Sequence, residues 1–415
     1  MNWFILVFIF LLLLKVIVST LLEMANLRYI RDHSSKIPDC FSDFVEPASY
    51  LKSVDYTIAK SRFSIVQGFY DTLVLGALIL GGVLPILFNF FSENIGYGVW
   101  AQSLVFCLIL FLLGLPSFPF DWWSTFRIEE RYGFNKSSPK LWLSDKFKGS
   151  IIALFLGVPI VALLLYCVRL TGSAWWIYGF AIIYLFQLAM VVVYPMFIMP
   201  LFNKLEPIEE GNLKKRLFAL SERTGFKTKS ILVMDGSKRS GHSNAFFAGF
   251  GSFRRIVLYD TLIEQMSDSQ IEAVLAHEIG HYKLGHIPRM LLISGVLSFL
   301  LFALLGWLST SSQLAHSFYF TGLTSEQLIL PIFLLFLTIG GLISYWISPL
   351  GSAISRRHEY QADAFANQAM GDSQPLISAL RQLHTENLSN LTPHPLYSSF
   401  YYSHPTLIER EAAMH

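Results

Sequence analysis

The sequence predicts a polytopic α-helical membrane protein with seven spans and a small α/β part that carries a metal-binding helix. The composition supports this class, because 53% of the 415 residues are hydrophobic and 14% are charged, whereas soluble domains contain about 25% charged residues. Seven apolar runs also support it, since each reaches the length that a helix needs to cross a bilayer. They lie near 3–22, 69–91, 98–118, 150–169, 174–199, 289–309 and 328–350. The third support is a polar motif, His-Glu-x-x-His, at 277–281.

Charge and cysteine content exclude several other classes. The net charge of +2 is too small to indicate nucleic-acid binding. The three cysteines, Cys40, Cys107 and Cys167, are odd in number, so neither a disulfide framework nor a cysteine metal cluster is expected. The mean hydropathy of +0.49 makes the lipid bilayer the expected environment.

Basic residues predict the orientation of the spans. No Lys or Arg precedes the first run, which is therefore expected to remain as an uncleaved span. The predicted loops 23–68 and 119–149 each carry six Lys or Arg residues, whereas the alternate loops near 92–97, 170–173 and 310–327 carry none. The positive-inside rule then places the N-terminus outside or in the lumen, and the motif and the C-terminus in the cytoplasm.

The chain is expected to divide into four parts. Membrane helices 1–5 occupy 1–199, a cytoplasmic part with the motif occupies 200–288, helices 6–7 occupy 289–350, and a second cytoplasmic part occupies 351–415. Pro195 and the pair Gly340–Gly341 with Pro349 predict kinks in the fifth and seventh spans.

Residues 200–288 predict a helix, three strands and the motif helix. The helix lies near 207–224, a strand follows at 230–235, and a hairpin spans 243–260 with its turn at Gly251–Ser252. Ser267 and Gln270 fit a capping box at the start of the next helix. The motif therefore lies on a helix, with an edge strand nearby.

His277 and His281 are spaced to share one helical face and bind one metal ion, with Glu278 beside the metal-bound water. The alternative is a polar patch on a membrane-surface helix. A catalytic zinc needs a third protein ligand. At about 100° per residue, His286 is expected about 140° round the helix from His281 and about 180° from His277, so it should face away, which leaves it a surface or supporting role.

The third ligand is predicted on the helical run 355–370, where Glu359 and Asp363 share a face. Glu359 would bind the metal and Asp363 would orient a ligand histidine. His358 is a rival ligand, and an ordinary salt-bridged amphipathic helix is the alternative. In this hypothesis Glu278 takes a proton from water as it attacks a peptide carbonyl, and His404 donates to the developing oxyanion. The edge strand near 244–250 would pair with an extended peptide.

Several sequence blocks resemble the type-I CaaX prenyl endopeptidases, which are integral-membrane zinc metallopeptidases of the gluzincin type. The blocks include "FRIEERYGFN", "HSNAFFAGF", "LAHEIGHYKLGH", "SRRHEYQADAFA" and "YSHPTLIER". The resemblance implies seven tilted helices that enclose a water-filled chamber, with the metallopeptidase part on the cytoplasmic side. It also implies one zinc ion, a peptide or lipidated C-terminal peptide as substrate, and a monomer. His358 stands where an aromatic residue is more usual in the family.

The resemblance implies roles for individual residues. The zinc ligands would be His277, His281 and Glu359, the catalytic residues Glu278, Asp363 and His404, and Asn244 a substrate contact; the predicted edge strand adds Ala245 and Phe246 as substrate contacts. The C-terminus shows no ER-retrieval signal, so both a bacterial inner membrane and an ER membrane are open. A broad quality-control metalloprotease is the alternative enzyme. A channel or transporter with structural zinc is the alternative of another class, although such zinc is held by four protein ligands.

Overall fold

The computed structural model describes residues 2–226, 230–248 and 255–415. α-Helices dominate the first half of the chain: α1 (Trp3–His33), α2 (Pro47–Leu80), α3 (Val83–Ile95), α4 (Val99–Gly114), α5 (Phe118–Trp123), α6 (Glu130–Tyr132), α7 (Pro139–Thr171) and α8 (Trp175–Val193). The second half contains α9 (Asn212–Arg223), α10 (Asp260–Gln265), α11 (Asp268–Lys283), α12 (His286–Leu308), α13 (Gln313–Ser317), α14 (Ile329–Met370), α15 (Gln374–Glu386), α16 (Pro395–Tyr401) and α17 (Leu407–Met414).

Six helical stretches among the described residues are long and apolar enough to cross a membrane. One of them, 139–201, contains both α7 and α8, which a short 3-10 turn joins. The predicted span 69–91 is not one helix, because the chain breaks at Gly81–Gly82 and Gly82 has a φ of 67°. The chain is thus a polytopic helical membrane protein, and the count of seven spans stays a prediction.

The backbone differs at the two sites where kinks are predicted. At Pro195 the helix changes to a π-helical segment, Tyr194–Ile198, as expected where proline removes a backbone hydrogen bond. By contrast, α14 runs unbroken for 42 residues through Gly340, Gly341 and Pro349. One helix therefore contains both the seventh predicted span and the predicted ligand Glu359.

A four-stranded sheet lies beside α11. Its strands are β1 (Leu205–Pro207), β2 (Ile231–Met234), β3 (Ala245–Ala248) and β4 (Arg255–Tyr259), in the order β1-β2-β4-β3. The predicted hairpin is present, because β3 and β4 pair antiparallel, and β3 lies at the edge of the sheet. The predicted turn at Gly251–Ser252 lies outside the described residues.

α11 forms where the sequence predicts it, and it packs closely on α14. Ser267 and Gln270 form the predicted capping box, with both hydrogen bonds present. Ile271, Leu275 and other apolar side chains of α11 are buried in the core between the sheet and α14. A Cβ atom at Gly280 would lie 3.1 Å from the Ala362 backbone, so the missing side chain lets the two helices approach.

Candidate metal centre and active site

Two helices bring three predicted metal ligands together. His277 and His281 come from α11 and Glu359 from α14, and their ligand atoms lie within 4.8 Å of one another. The Nε2 atoms of the two histidines are 3.1 Å apart, and Glu359 oxygens lie 3.4 and 3.2 Å from them. A tetrahedral centre with ligands at about 2.0–2.1 Å places ligand atoms roughly 3.3 Å apart. The residues therefore fit a metal ion, and Glu359 Oε2 is buried without a hydrogen-bond partner.

Asp363 orients the first of these histidines. The His277 Nδ1–H donates to Asp363 Oδ1 at 2.8 Å, which turns Nε2 towards the ligand cluster. Burial lowers the pKa of His277, but the hydrogen bonds that its ring donates to Asp363 and Glu359 raise that pKa to about 9 overall. A metal ion must therefore displace a proton from His277 when it binds.

Arg410 completes this arrangement and was missed from the sequence. Its guanidinium donates to both oxygens of Asp363, at 2.8 and 2.5 Å, and lies 3.5 Å from Glu359. The side chain is only 7% exposed. The capping box of Thr406 and Glu409 is a signal that could have identified it, because a helix starting at Leu407 places Arg410 on the same face as Leu407.

His286 contacts the second ligand histidine, so the prediction that it faces away from His281 was wrong. α11 ends at Lys283, and Gly285 has a φ of 71°, so His286 starts a new helix with a different direction. His286 Nδ1 lies 3.0 Å from His281 Nδ1, and its Nε2 lies 3.0 Å from Gln361 Oε1.

The rival ligand His358 lies outside the ligand cluster. Its ring stacks on His286 with centroids 4.0 Å apart and an angle of 8° between the planes. His358 and His286 are both buried, so His286 has no surface role. The stacked pair lies on the Nδ1 side of the His281 ring.

Glu278 and His404 line one cavity of about 830 Å³, which we call the site cavity. Burial raises the pKa of Glu278, and His277 and His281 lower it in part. A raised pKa suits a carboxylate that accepts a proton near neutral pH. Residues from both the membrane helices and the α/β part line this cavity, including Glu23, Asn26, Tyr56, Lys60, Asn244, Ala245, His277, Glu359 and Tyr401.

His404 enters the cavity beside Glu359, with its Nε2 3.5 Å from Glu359 Oε1. Desolvation by the surrounding cavity walls lowers the pKa of His404. The side chain is nevertheless 64% accessible, because it faces the open space of the cavity. Ser403 Oγ lies 3.0 Å from His404 Nδ1. When the Ser403 hydroxyl donates to Nδ1, the neutral ring carries its proton on Nε2, which can donate into the cavity.

The three predicted substrate contacts lie in different places. Asn244 is exposed and Ala245 is buried, and both line the site cavity. Phe246 is not among the cavity residues described, and its ring packs against Tyr259 with centroids 6.2 Å apart. A contact between Phe246 and substrate stays a prediction.

A second polar cluster, also missed from the sequence, holds the start of β3. His242 Nδ1 lies 3.0 Å from Asn387 Oδ1, and its Nε2 lies 3.4 Å from Glu129. Glu129 also accepts a hydrogen bond of 2.7 Å from the Tyr56 hydroxyl. This cluster joins α2 and the segment after α5 to the edge strand.

Comparison with known proteins assigns the family. A family model described as CAAX prenyl protease N-terminal, five membrane helices, matches residues 26–204, and the model of peptidase family M48 matches residues 207–415. CAAX prenyl protease 1 of Saccharomyces cerevisiae is 37% identical over 93% of this chain and 90% of its own length. The CAAX prenyl protease 1 homolog of Arabidopsis thaliana is 35% identical over 91% of this chain and 90% of its own length.

A solved structure agrees with this assignment. The crystal structure of S. mikatae Ste24p superimposes with a TM-score of 0.91 at 34% identity, and the match covers 100% of this chain and 99% of that one. The match thus spans both the membrane helices and the part of this chain that carries the ligand cluster. The chain therefore belongs to peptidase family M48 and is a membrane metallopeptidase with the N-terminal domain of the CAAX prenyl proteases.

Proposed function

We propose that this protein is a zinc metalloendopeptidase that removes the C-terminal aaX tripeptide from prenylated CaaX peptides. The convergence of His277, His281 and Glu359 carries this proposal, together with the position of His277, Glu278 and Glu359 in the wall of a cavity of about 830 Å³. Two imidazoles and one carboxylate are a ligand set typical of catalytic zinc. The names of the relatives support the substrate class.

One bound zinc ion would be held by His277, His281 and Glu359 and would supply Lewis acidity at the scissile carbonyl and an acidified water. Glu278 accepts the proton of the attacking water and passes it to the leaving amine. His404 donates its Nε2–H to the carbonyl oxygen as negative charge develops there. Asp363 holds the His277 ring in the tautomer that leaves Nε2 free for the metal.

The substrate backbone would pair with the exposed edge of the sheet. β3 is an edge strand, and Asn244 precedes it in the cavity wall. An extended peptide beside β3 would extend the sheet and place its carbonyl near Glu278 and His404. The basic loops support an orientation with this site in the cytoplasm. We also propose that the active unit is a monomer, in which one chain supplies all three ligands.

A cleavage assay on the purified full-length protein tests the proposal. The substrates are a farnesylated CaaX peptide and the same peptide without the lipid, and zinc content is measured in parallel. We expect Glu278→Gln to retain zinc and lose at least a hundredfold in rate, on the order expected for loss of a general base. His281→Ala and Glu359→Ala should lose the metal.

The assay also distinguishes the alternatives. Equal cleavage of the lipidated and unlipidated peptides would favour a broad quality-control protease. Full activity of Glu278→Gln would refute the proposed base, and stoichiometric zinc in Glu359→Ala would refute the third ligand. Membership of a peptidase family favours an enzyme over a channel or transporter with structural zinc.

A further inference from the structure

A groove lies on the face of α2 that points away from the site cavity. Lys60 and Ser64 line the site cavity, whereas Arg62 and Val66 line the groove. Residues two positions apart in an α-helix lie about 200° apart, so α2 forms a wall between the two spaces. The groove has a volume of about 620 Å³. We call it the outer groove, and it is lined by residues of the segments 59–66 and 119–132.

The outer groove is positioned at the boundary between membrane and water. Residues 59–66 lie in the first half of α2 (Pro47–Leu80) and residues 119–132 at the end of the helical stretch Val99–Tyr132. Both stretches are long and apolar enough to cross a membrane, and both segments lie towards the ends that carry the basic loops. Glu129 in the second segment contacts His242 of the α/β part at 3.4 Å. The outer groove therefore lies on the same side of the membrane as the ligand cluster, at the level of lipid headgroups.

The edge of the outer groove is positively charged. Its three cations are the exposed side chains of Arg62, Arg127 and Arg131. The three carboxylates of the second segment have other partners. Asp121 pairs with Lys146 at 2.7 Å, Glu129 accepts from Tyr56 at 2.7 Å, and Glu130 accepts from Asn135 Nδ2 at 2.7 Å. None of the ion pairs between described residues involves the three arginines, so their charge is available to an anion.

The floor of the outer groove is apolar and partly exposed. The Phe120 ring packs against Tyr70 and Phe63, with centroids 4.6 and 5.7 Å apart. Trp123 is 53% exposed and Val66 is 60% exposed. The Arg127 guanidinium lies 5.9 Å from the centre of the Trp123 ring. The surface thus places a cationic edge directly beside an aromatic floor.

We propose that the outer groove binds an anionic phospholipid, with its phosphate on the arginines and an acyl chain on the aromatic floor. The guanidinium fork matches phosphate oxygens in pairs. Free inorganic phosphate would leave the apolar floor uncovered. Phosphatidylcholine would bind less well, because it would bring its positively charged ammonium group beside three guanidinium groups. Basic side chains at a membrane surface each favour anionic lipid modestly, so three of them predict a preference of about tenfold to a hundredfold.

The test measures lipid binding to the purified full-length protein by native mass spectrometry. The probes are phosphatidylglycerol and phosphatidylcholine with the same acyl chains, with inorganic phosphate as a competitor. The test variant combines Arg62→Gln, Arg127→Gln and Arg131→Gln. The matched control combines Lys52→Gln, Lys136→Gln and Lys140→Gln, which removes the same charge at exposed positions outside the outer groove.

We expect the wild-type protein and the control to prefer phosphatidylglycerol at least tenfold, and the arginine variant to lose that preference. Each single arginine substitution should reduce it about threefold to tenfold, which keeps the test decisive if the triple variant does not fold. Three results would each overturn the proposal: no preference in the wild type, the same loss in the lysine control, or displacement of phosphatidylglycerol by inorganic phosphate. The readout is binding, so it does not depend on the proposed peptidase activity.

Discussion

A hydrogen-bonded chain behind the ligand cluster fixes the proton positions of two histidines. If His281 binds a metal through Nε2, its proton is on Nδ1 and is donated to His286 Nδ1, 3.0 Å away. His286 then carries its own proton on Nε2 and donates it to Gln361 Oε1, also at 3.0 Å. Each ring has one possible tautomer in this chain. His286 is therefore a positioning residue for His281, as Asp363 is for His277.

Replacement of His286 by leucine is expected to weaken metal binding 10- to 100-fold. The change leaves His281 Nδ1–H without an acceptor in a side chain that is only 20% exposed. An unsatisfied buried donor costs about 1–3 kcal/mol, which corresponds to roughly 5- to 150-fold in a binding constant. Loss of such partners in other metal sites has effects of about 10–100-fold. His286→Asn, whose side-chain oxygen can replace Nδ1 as acceptor, should retain most of the affinity.

The assay is zinc competition with a chromophoric chelator, supported by the visible spectrum of the cobalt-substituted protein. His316→Leu is the matched control, because His316 is exposed on α13 and is not among the ligand-cluster residues. Wild-type zinc affinity and an unchanged cobalt spectrum in His286→Leu would refute the reasoning. Equal weakening in His286→Asn and His286→Leu would show that packing against His358, rather than the hydrogen bond, matters.

Three further predictions follow from the site. Arg410→Met should lower the unfolding free energy by about 3 kcal/mol, because it removes the guanidinium that contacts the buried Asp363 carboxylate and leaves protonated His277 as its other cationic partner. Thermal unfolding of the metal-free protein measures this, and a change near zero would contradict it. The pKa of His277 is raised from 6.5 to about 9. The metal-free protein should therefore lose stability as the pH rises from 6.5 to about 9, because folding favours the protonated ring, and its zinc affinity should increase over the same range, because the proton no longer competes with zinc. Chelator competition from pH 6 to 9 checks the affinity, and a flat profile would contradict the prediction. Gly280→Val should lower the unfolding free energy by about 1–3 kcal/mol, because the new side chain would contact Ala362 and push α11 away from α14. It should also weaken zinc binding; an unaltered zinc affinity would show that the ligand geometry does not depend on this helix contact.

The sequence predicted what local chemistry determines. The capping box at Ser267 fixes where α11 starts, and the spacing of His277 and His281 fixes their common face. Glu359 and Asp363 are four residues apart on a second helix, so the sequence also predicts that one binds the metal and the other supports a ligand histidine. The contact between the two helices could not be predicted in this way, because it depends on Gly280 packing against Ala362, 82 positions later in the chain.

The prediction for His286 failed for an identifiable reason. It assumed that the helix continued past Gly285, although glycine near a helix end commonly marks its termination. Gly285 has a φ of 71°, and the change of direction there brings the next residue back beside His281. Likewise, the prediction of one span over 69–91 ignored Gly81–Gly82, where α2 ends. Arg410 was missed because the capping box at Thr406 predicts its helix and its face, but not that its partner is Asp363, 47 positions earlier in the chain.

The continuity of α14 has a consequence for how a lipidated substrate would reach the metal. Glu359 lies nine positions beyond the end of the predicted span at 350, which is at most about 14 Å along the helix. In a CaaX tail the scissile bond follows the lipidated cysteine directly, and one residue spans no more than about 3.6 Å. Peptide alone cannot bridge that distance while the prenyl group stays in the bilayer core. Under the proposed function, part of the prenyl chain therefore lies outside the bilayer core, and the site cavity, which is lined by residues of α1 and α2 and by Glu278, is the space that would hold it.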